Sequence, residues 1–172
     1  MRGALALAAL AAGAAPAGAA VRLLEAGLVC PAILDSGETR AAPDTQTGFI
    51  DVLREGVAFD LPDRTVPLMP DLGFGVRVAL KDGAPAQEVT IVVEHPPTGA
   101  DGVTREAWTQ WLDPGATSLS LFSFDHAYEM VAGTWTFSVE VAGTRMVSVP
   151  FAVGAPGAAA RVEAACLEGL SA

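Results

Sequence analysis

The chain has 172 residues, of which 51% are hydrophobic, and its formal net charge is −10 at pH 7. This length is sufficient for one domain with a hydrophobic core. The excess of acidic residues makes electrostatic binding to nucleic acid or to an anionic membrane surface unfavourable, so neither is expected as a partner.

The first 19 residues are predicted to be a secretory signal peptide. A basic start at Arg2 precedes an apolar stretch from Ala4 to Ala12, and Ala17-Gly18-Ala19 is an A-x-A site for signal peptidase. Residues 3–21 lack charge but are mostly alanine and glycine with one proline, which disfavours a membrane-spanning anchor. The mature chain would be residues 20–172, with a net charge of −11 after the loss of Arg2. We therefore expect a periplasmic or secreted protein with no stable membrane insertion after cleavage.

The first part of the mature chain carries a weak strand pattern. Residues 21–30 are predicted to form the first strand. Residues 35–48 contain Asp, Ser, Gly, Thr and Pro and are predicted to form a long loop. Residues 48–59 fit either a pair of strands or an irregular segment. The prolines within residues 60–72 predict an extended segment with few ladder hydrogen bonds.

The second part alternates clearly between apolar and polar residues. The clearest strand covers residues 134–141, and one of its faces carries Trp135, Phe137, Val139 and Val141. Similar alternation predicts further strands at residues 74–81, 88–94, 104–112, 117–124 and 145–153. Pro150 indicates that the last of these lies at a sheet edge. Residues 158–167 are predicted to form a short helix.

Seven or eight short strands separated by turns rich in glycine and proline are typical of an antiparallel β-sandwich of immunoglobulin-like type. A closed barrel is the alternative, and the strand pattern does not separate the two. No internal repeat or linker divides residues 20–172. We therefore predict one all-β domain with a short C-terminal helix.

Two cysteines, Cys30 and Cys166, lie near opposite ends of the mature chain. An isolated pair in an oxidising compartment usually forms a disulfide. A redox pair is disfavoured because the chain has no C-x-x-C spacing. We predict a Cys30–Cys166 bond that ties the carboxy-terminal tail to the first strand.

Several short motifs occur in a fixed order along the chain. They are Thr65-Val66-Pro67-Leu68, Gly73-Phe74-Gly75, His95-Pro96-Pro97, Phe124-Asp125 with Tyr128-Glu129-Met130-Val131, Gly133-Thr134-Trp135-Thr136-Phe137, and Phe151-Ala152-Val153. Their order and spacing resemble the bacterial domain of unknown function numbered three-eight-five-nine, over residues 22–153. The resemblance implies a compact, sandwich-like β-domain in a small exported protein, and it implies no activity and no catalytic residues. The tail, residues 154–172, and the cysteine pair are not part of the resemblance.

The residue types that catalysis requires are sparse. His95 and His126 have no second metal ligand adjacent in the sequence, although Asp125 and Glu129 could gather around His126 in a loop. Ser36 lies in an acidic segment without the strained elbow of a serine hydrolase. We predict no catalytic residue, no metal site and no cofactor.

Two weaker signals have ordinary explanations. Gly73-Phe74-Gly75 lacks the third glycine of a dinucleotide-binding fingerprint and enters a strand. Its glycines are expected to permit a turn, a bulge or the close approach of a neighbouring segment. The twenty acidic residues guarantee close carboxylate pairs in any fold, so a hydrolase that uses paired carboxylates stays an alternative.

Trp108 and Trp111 are the candidate contact residues for a ligand or partner. On a strand over residues 104–112 their odd spacing places them on opposite faces, so one is expected in the core and the other exposed. An exposed tryptophan can contact sugars, peptides or a partner protein. A half-buried tryptophan packed against the 35–48 loop is the alternative.

We therefore predict a non-catalytic, exported module that binds an unknown protein or small ligand. An envelope hydrolase with paired carboxylates is one alternative, and a concave pocket lined by acidic residues would favour it. A structural or chaperone-like module of an export or envelope assembly is another, and a long unpaired edge strand would favour that function.

Overall fold

The computed structural model describes residues 20–32 and 34–169. The predicted signal peptide, residues 1–19, lies outside the described residues. The described chain contains one α-helix, α1 (Ala158–Gly169), and a single 3-10 turn at Ala127–Glu129. Its strands are β1 (Val21–Val29), β2 (Asp35–Ala41), β3 (Phe49–Leu53), β4 (Thr65–Val66), β5 (Gly73–Leu80), β6 (Gln87–Thr98), β7 (Val103–Leu112), β8 (Thr117–Ser123), β9 (Gly133–Val141) and β10 (Thr144–Val153).

The strands form two sheets and a separate hairpin. β1, β5 and β8 form one sheet in that order, and β4, β10, β9, β6 and β7 form the other. All pairs are antiparallel except β4 with β10, and β2 pairs with β3 alone. A three-stranded sheet packed against a sheet built around the β10-β9-β6 order is the arrangement of an immunoglobulin-like sandwich. Both sheets have free edges, so the predicted sandwich is confirmed and the closed barrel is wrong.

The strand alternation builds an aromatic core between the sheets. Trp135, Phe137 and Val139 of β9 are fully buried, as the pattern predicts. Phe74 of β5 faces them from the other sheet. Its ring centroid lies 5.3 to 5.9 Å from those of Phe122, Phe124, Trp135, Phe137 and Phe151. Each tilted or edge-to-face aromatic pair stabilises the fold by about 0.5–1.5 kcal/mol in addition to the free energy of burying its apolar area. This cluster therefore stabilises the strands that contribute to it.

Gly75 allows β5 and β8 to approach each other closely. A Cβ atom at this position would overlap the backbone carbonyl oxygen of Ser120 in β8. At Gly73 a Cβ atom would be in ordinary van der Waals contact, 3.4 Å from Cδ1 of Leu34. The close approach expected for this motif is therefore found at Gly75 and not at Gly73.

The prediction of a loop over residues 35–48 is wrong. Residues 35–41 form β2, which pairs with β3, and residues 42–48 connect the two strands. Nearly every residue of β2 is exposed, so neither face supplies the apolar half of a period-two pattern. Residues 48–59 contain one strand, β3, rather than a pair of strands.

Prolines lie where strand pairing is interrupted. β6 continues through Pro96 and Pro97, beyond the predicted end of that strand, and its pairing with β7 is irregular between Glu94 and Thr98. Pro150 lies just before the short pairing of β10 with β4, which begins at Ala152. β10 is therefore an edge strand only in the part that precedes this pairing.

Helix α1 closes the side of the sandwich at β4. Ala158, Val162 and Cys166 are spaced four residues apart, share one helix face and are buried. Cys166 forms the predicted disulfide with Cys30, directly after β1. Arg161 on the exposed side of the helix forms an ion pair with Asp63. Within the described ranges no helix is both long enough and apolar enough to cross a membrane.

Candidate functional site

The sandwich opens on the side opposite to α1, between β7 and β8, which are the edge strands of the two sheets. The β2–β3 hairpin flanks this opening. Together with residues 125, 126 and 129 these elements enclose a groove of about 670 Å³. We call it the edge groove. Its volume lies within the range of small-molecule sites, about 300–1,000 Å³.

Alternate residues of β7 form one wall of the edge groove. Glu106, Trp108 and Gln110 share the face of β7 that points between the sheets, because side chains alternate along a strand. Ser120 and Phe122 of β8 line the opposite wall. The half-buried indole of Trp108 thus lies between a carboxylate and a carboxamide. The strand that carries all three side chains pairs with β6 of the five-stranded sheet.

Trp111, the other predicted contact residue, lies on the opposite face of β7. It is 62% exposed, and its Nε1 donates a hydrogen bond to Asp113 Oδ1 at 3.2 Å. The odd spacing of the two tryptophans therefore separates them as predicted. The structure does not bring them together into one site, and only Trp108 lines the groove.

Glu106 is held from two directions. Its Oε2 accepts a hydrogen bond from the backbone N–H of Gln46 at 2.9 Å, and its Oε1 lies 3.5 Å from His95 Nε2. The side chain of His95 is completely buried, and that of Glu106 is 9% exposed. The imidazole stacks on Trp135 with 4.4 Å between ring centroids. These contacts place one carboxylate rigidly in the groove wall.

The hydrogen bonding of His95 locates one of its protons. His95 Nδ1 lies 2.8 Å from the carbonyl oxygen of Pro96. A carbonyl oxygen can only accept, so Nδ1 carries a proton and donates it. The second ring nitrogen, Nε2, then faces the Glu106 carboxylate at 3.5 Å and has no hydrogen-bond partner among the described residues. His95 is therefore a buried packing residue of the core.

Gln110 connects the two walls and retains an unused donor. Its Oε1 accepts a long hydrogen bond from Ser120 Oγ at 3.5 Å. Its Nε2 is buried and has no hydrogen-bond partner among the described residues. A buried amide donor without a partner is unfavourable, so this group would gain from an acceptor that it meets when the side chain turns toward the groove.

Two carboxyl groups of the groove have raised pKa values. Burial raises the pKa of Asp125 above its ordinary value of 3.8, and Asp51 adds to this by charge repulsion, whereas His126 opposes it. Burial also raises the pKa of Glu129 above 4.5, although the hydrogen bond that it accepts from the His126 amide opposes the shift. Carboxyl groups that hold a proton more tightly than usual are frequent at functional sites.

The groove is acidic overall. Its positively charged or titratable basic side chains are Arg40 and His126, and Arg40 Nη2 donates a hydrogen bond to the Thr109 carbonyl oxygen at 3.0 Å. This bond ties the hairpin to β7. The acidic residues that line the groove are Asp35, Asp51, Glu106, Asp125 and Glu129.

The acidic residues do not form a metal cage. Within residues 20–32 and 34–169 there is no group of three or more His, Cys, Asp or Glu side chains that could hold a metal ion. Asp125, His126 and Glu129 all line the groove, as the loop pattern allowed, but the His126 ring stacks on Tyr128 with 5.0 Å between ring centroids.

Sequence reasoning identified Trp108 but not its neighbours. Glu106 and Gln110 lie two residues on either side of Trp108, so the period-two rule places all three on one face. Glu106 and Gln110 are polar residues on the face of β7 that points between the sheets, where a buried strand would carry apolar residues. Such departures from the buried pattern are expected at functional sites. That signal was present in the sequence. The contribution of the hairpin had no such signal, because the exposed residues of β2 do not alternate and their sequence predicts a loop.

The comparisons with known proteins identify a family. The sequence model of DUF3859, a domain of unknown function, matches residues 19–153, and this confirms the resemblance inferred from the motifs. The match includes β1 to β10 and leaves out α1. An immunoglobulin-like protein from Pseudomonas aeruginosa is similar in structure, with a TM-score of 0.48 and 21% sequence identity, over 80% of this chain and 98% of that chain. A comparison with curated proteins finds no match.

Proposed function

We propose that this chain, which belongs to the DUF3859 family, is an exported, non-catalytic module that binds a ligand in the edge groove. The observation that carries the proposal is the composition of the β7 wall. A half-buried indole lies there between a fixed carboxylate, Glu106, and an amide donor without a partner, Gln110. An apolar surface with a few convergent polar groups is the usual composition of a ligand site.

The groove is supported by parts of the fold that keep its shape. Its β8 wall includes Phe122, whose ring centroid lies 4.9 Å from that of Trp135 in the core. The Arg40–Thr109 hydrogen bond and the Glu106–Gln46 hydrogen bond attach the hairpin and its connection to β7. A preorganised site loses little conformational entropy on binding, which favours affinity.

Two observations support export. The first 19 residues carry the n-region, apolar stretch and A-x-A site of a signal peptide. The Cys30–Cys166 disulfide requires an oxidising environment to persist. The periplasm and the extracellular space both meet this requirement.

A β-augmentation function receives less support. β7 is a ten-residue edge strand, but two backbone groups on its outer edge already form hydrogen bonds. The Ala107 N–H donates to the Asp44 carbonyl oxygen at 3.0 Å, and the Thr109 carbonyl oxygen accepts from Arg40. An added strand would have to displace both hydrogen bonds, so the edge of β7 is poorly suited to pairing with a partner.

The binding function is tested by ligand-dependent thermal stability. The purified, disulfide-bonded protein is heated with a library of sugars, amino acids, amines, nucleosides and short peptides. A ligand at about 100 times its Kd stabilises by about 2.7 kcal/mol, which raises the Tm by about 5–10 °C for a chain of this size. We expect at least one compound to do so.

The two tryptophans supply a matched pair of variants for this test. Trp108→Ala and Trp111→Ala remove the same side chain from opposite faces of one strand. Stabilisation that persists in Trp111→Ala and is lost in Trp108→Ala would assign the ligand to the edge groove. A library without effect, or a ligand that stabilises both variants equally, would refute the proposal.

Hydrolysis by a carboxyl pair is a second candidate function. The specific observation in its favour is that Asp125 and Glu129, both lining the groove, have raised pKa values. A general acid must hold its proton near the working pH, and retaining and inverting glycosidases pair such an acid with an ionised carboxylate. Glu106, which accepts a hydrogen bond from the Gln46 amide, is the available carboxylate.

This second function predicts turnover of chromogenic glycosides. Glu129→Gln keeps an oxygen that can accept the His126 amide but removes the titratable proton. Activity that is present in the wild type and absent in Glu129→Gln would establish catalysis. Equal background rates in both proteins would leave binding as the function of the groove.

A further inference from the structure

We infer that the ligand of the edge groove is an uncharged carbohydrate, bound with one sugar face on Trp108 and its hydroxyl groups between Gln110 and the buried carboxyl groups. This inference rests on the proposed binding function and specifies the chemical class of its ligand. It follows from three properties of the lining: a flat apolar surface, the presence of both a donor without a partner and a free acceptor, and the sign of the charge.

The apolar property is the half-buried indole of Trp108. A tryptophan in the wall of a groove offers a flat, rigid surface with little rotamer freedom to lose. The C–H face of a pyranose ring is flat and apolar, whereas its edge carries the hydroxyl groups. An indole beside polar groups therefore matches a ring that is apolar on one face and polar around its edge.

The hydrogen-bonding property is the mixture of donors and acceptors. Gln110 Nε2 is a buried donor without a described partner. Glu129 is 7% exposed, and its Oε2 accepts from the His126 amide, so its other oxygen can accept from a ligand. A hydroxyl group both donates and accepts. Hydroxyl groups at different positions of one carbohydrate can therefore serve the amide and the carboxyl group together.

The charge of the lining selects among ligands. Five acidic residues against Arg40 and His126 disfavour phosphate, sulfate and uronate groups by repulsion. A simple cation would satisfy the carboxylates but has no acceptor to offer to Gln110 Nε2. A neutral, hydroxyl-rich molecule is the class that satisfies both kinds of group.

The experiment is isothermal titration calorimetry of the disulfide-bonded protein with three groups of probes. Neutral probes are maltotriose, cellotriose and tri-N-acetylchitotriose. Trilysine and spermidine test cations, and trigalacturonate tests anions. The variants are Trp108→Ala, Gln110→Glu and, as the control on the opposite face, Trp111→Ala, each checked for native circular dichroism and thermal unfolding.

We expect a neutral oligosaccharide to bind the wild type and Trp111→Ala with equal affinity. Loss of the stacking surface in Trp108→Ala should weaken binding about tenfold. Gln110→Glu keeps the shape of the side chain but replaces its amide donor with a carboxylate oxygen, so it should weaken binding by a similar factor even if Trp108→Ala fails to fold.

Two outcomes would overturn the inference, and they differ in what they leave standing. If trilysine or spermidine binds in a Trp108-dependent manner and no neutral sugar does, the carbohydrate class is wrong and the binding function stands. If no probe binds, or if binding is unchanged in both Trp108→Ala and Gln110→Glu, the groove is not a carbohydrate site. The library test with the tryptophan pair then decides whether the groove binds any ligand.

Discussion

Removal of the Cys30–Cys166 disulfide should be the largest single perturbation of the stability of this domain. The two cysteines are separated by 136 positions in the sequence, so the bond closes a loop that contains almost the whole domain. Replacing both with alanine opens the loop. Alanine is preferred to serine because Cys166 is only 9% exposed and a buried hydroxyl would add its own penalty.

The expected magnitude follows from the length of the loop. For 136 residues the chain-entropy relation gives about 5 kcal/mol at room temperature, because the open chain gains that much freedom on unfolding. Domains of this kind have a total free energy of unfolding of about 5–15 kcal/mol, so the variant should be marginally stable. The corresponding decrease in Tm is about 10–20 °C for a chain of this size.

Urea unfolding followed by far-ultraviolet circular dichroism measures the change. The free energy of unfolding is extrapolated to water for the wild type, the double alanine variant and the reduced wild type. The control is Arg161→Ala, which breaks the ion pair between α1 and Asp63. The Arg161 side chain is 57% exposed, so this change should lower the free energy of unfolding by less than about 1 kcal/mol.

The location of the effect is a second part of the prediction. Without the disulfide, α1 is held to the core by the buried side chains of Ala158 and Val162 and by the ion pair of Arg161. Amide hydrogen exchange should therefore accelerate in α1 before it does so in β9. A loss of less than about 1 kcal/mol, together with unchanged protection of α1, would refute the loop-entropy argument for this bond.

Three further outcomes are expected. Gly75→Ala should lower the free energy of unfolding by about 1–3 kcal/mol in urea, because its Cβ overlaps a backbone carbonyl of β8, whereas Gly73→Ala should change it by much less; equal losses would contradict the close-approach explanation. Asp125→Asn should raise the Tm at neutral pH, because the pKa of Asp125 is raised in the folded protein and its ionised form therefore destabilises the fold. The stability that the bound proton provides is fully present below pH 3.8, the ordinary pKa, and is lost as the pH rises through the folded pKa, so the gain in Tm should vanish below pH 3.8. A gain that does not depend on pH would argue against a raised pKa. Alkaline phosphatase fused after residues 1–30 should be active in bacterial cells, because the enzyme matures only outside the cytoplasm; an inactive fusion that is expressed at a normal level would argue against export.

The strands with one buried face were predictable because burial selects an apolar residue at every second position. Residues 134–141 were predicted, and β9 runs from Gly133 to Val141. The same reasoning applies to β7 and β8, whose observed ends differ by one residue from the prediction. The cysteine pair was predictable for a different reason, since two cysteines in an oxidising compartment allow only one intramolecular bond.

The hairpin of β2 and β3 was not predictable from the pattern. Its strands are stabilised by pairing with each other and by long-range bonds such as that from Arg40 to Thr109, and β2 buries almost none of its side chains. Exposed strands are under no pressure to alternate, so their sequence looks like that of a loop.

The candidate site, like the strands, was predictable from the sequence only in part. The sequence alone determined that Glu106, Trp108 and Gln110 share one face of β7, because the period of a strand is two. Only the tertiary structure decided that this face borders a groove, because β7 and β8 belong to different sheets and, as the edge strands of those sheets, flank the open side of the sandwich. The charge of the groove depends on the hairpin and on residues 125–129, which reach it from distant parts of the chain. A local pattern records which side of a strand is buried, whereas the surface opposite that side is made by segments that the pattern does not contain.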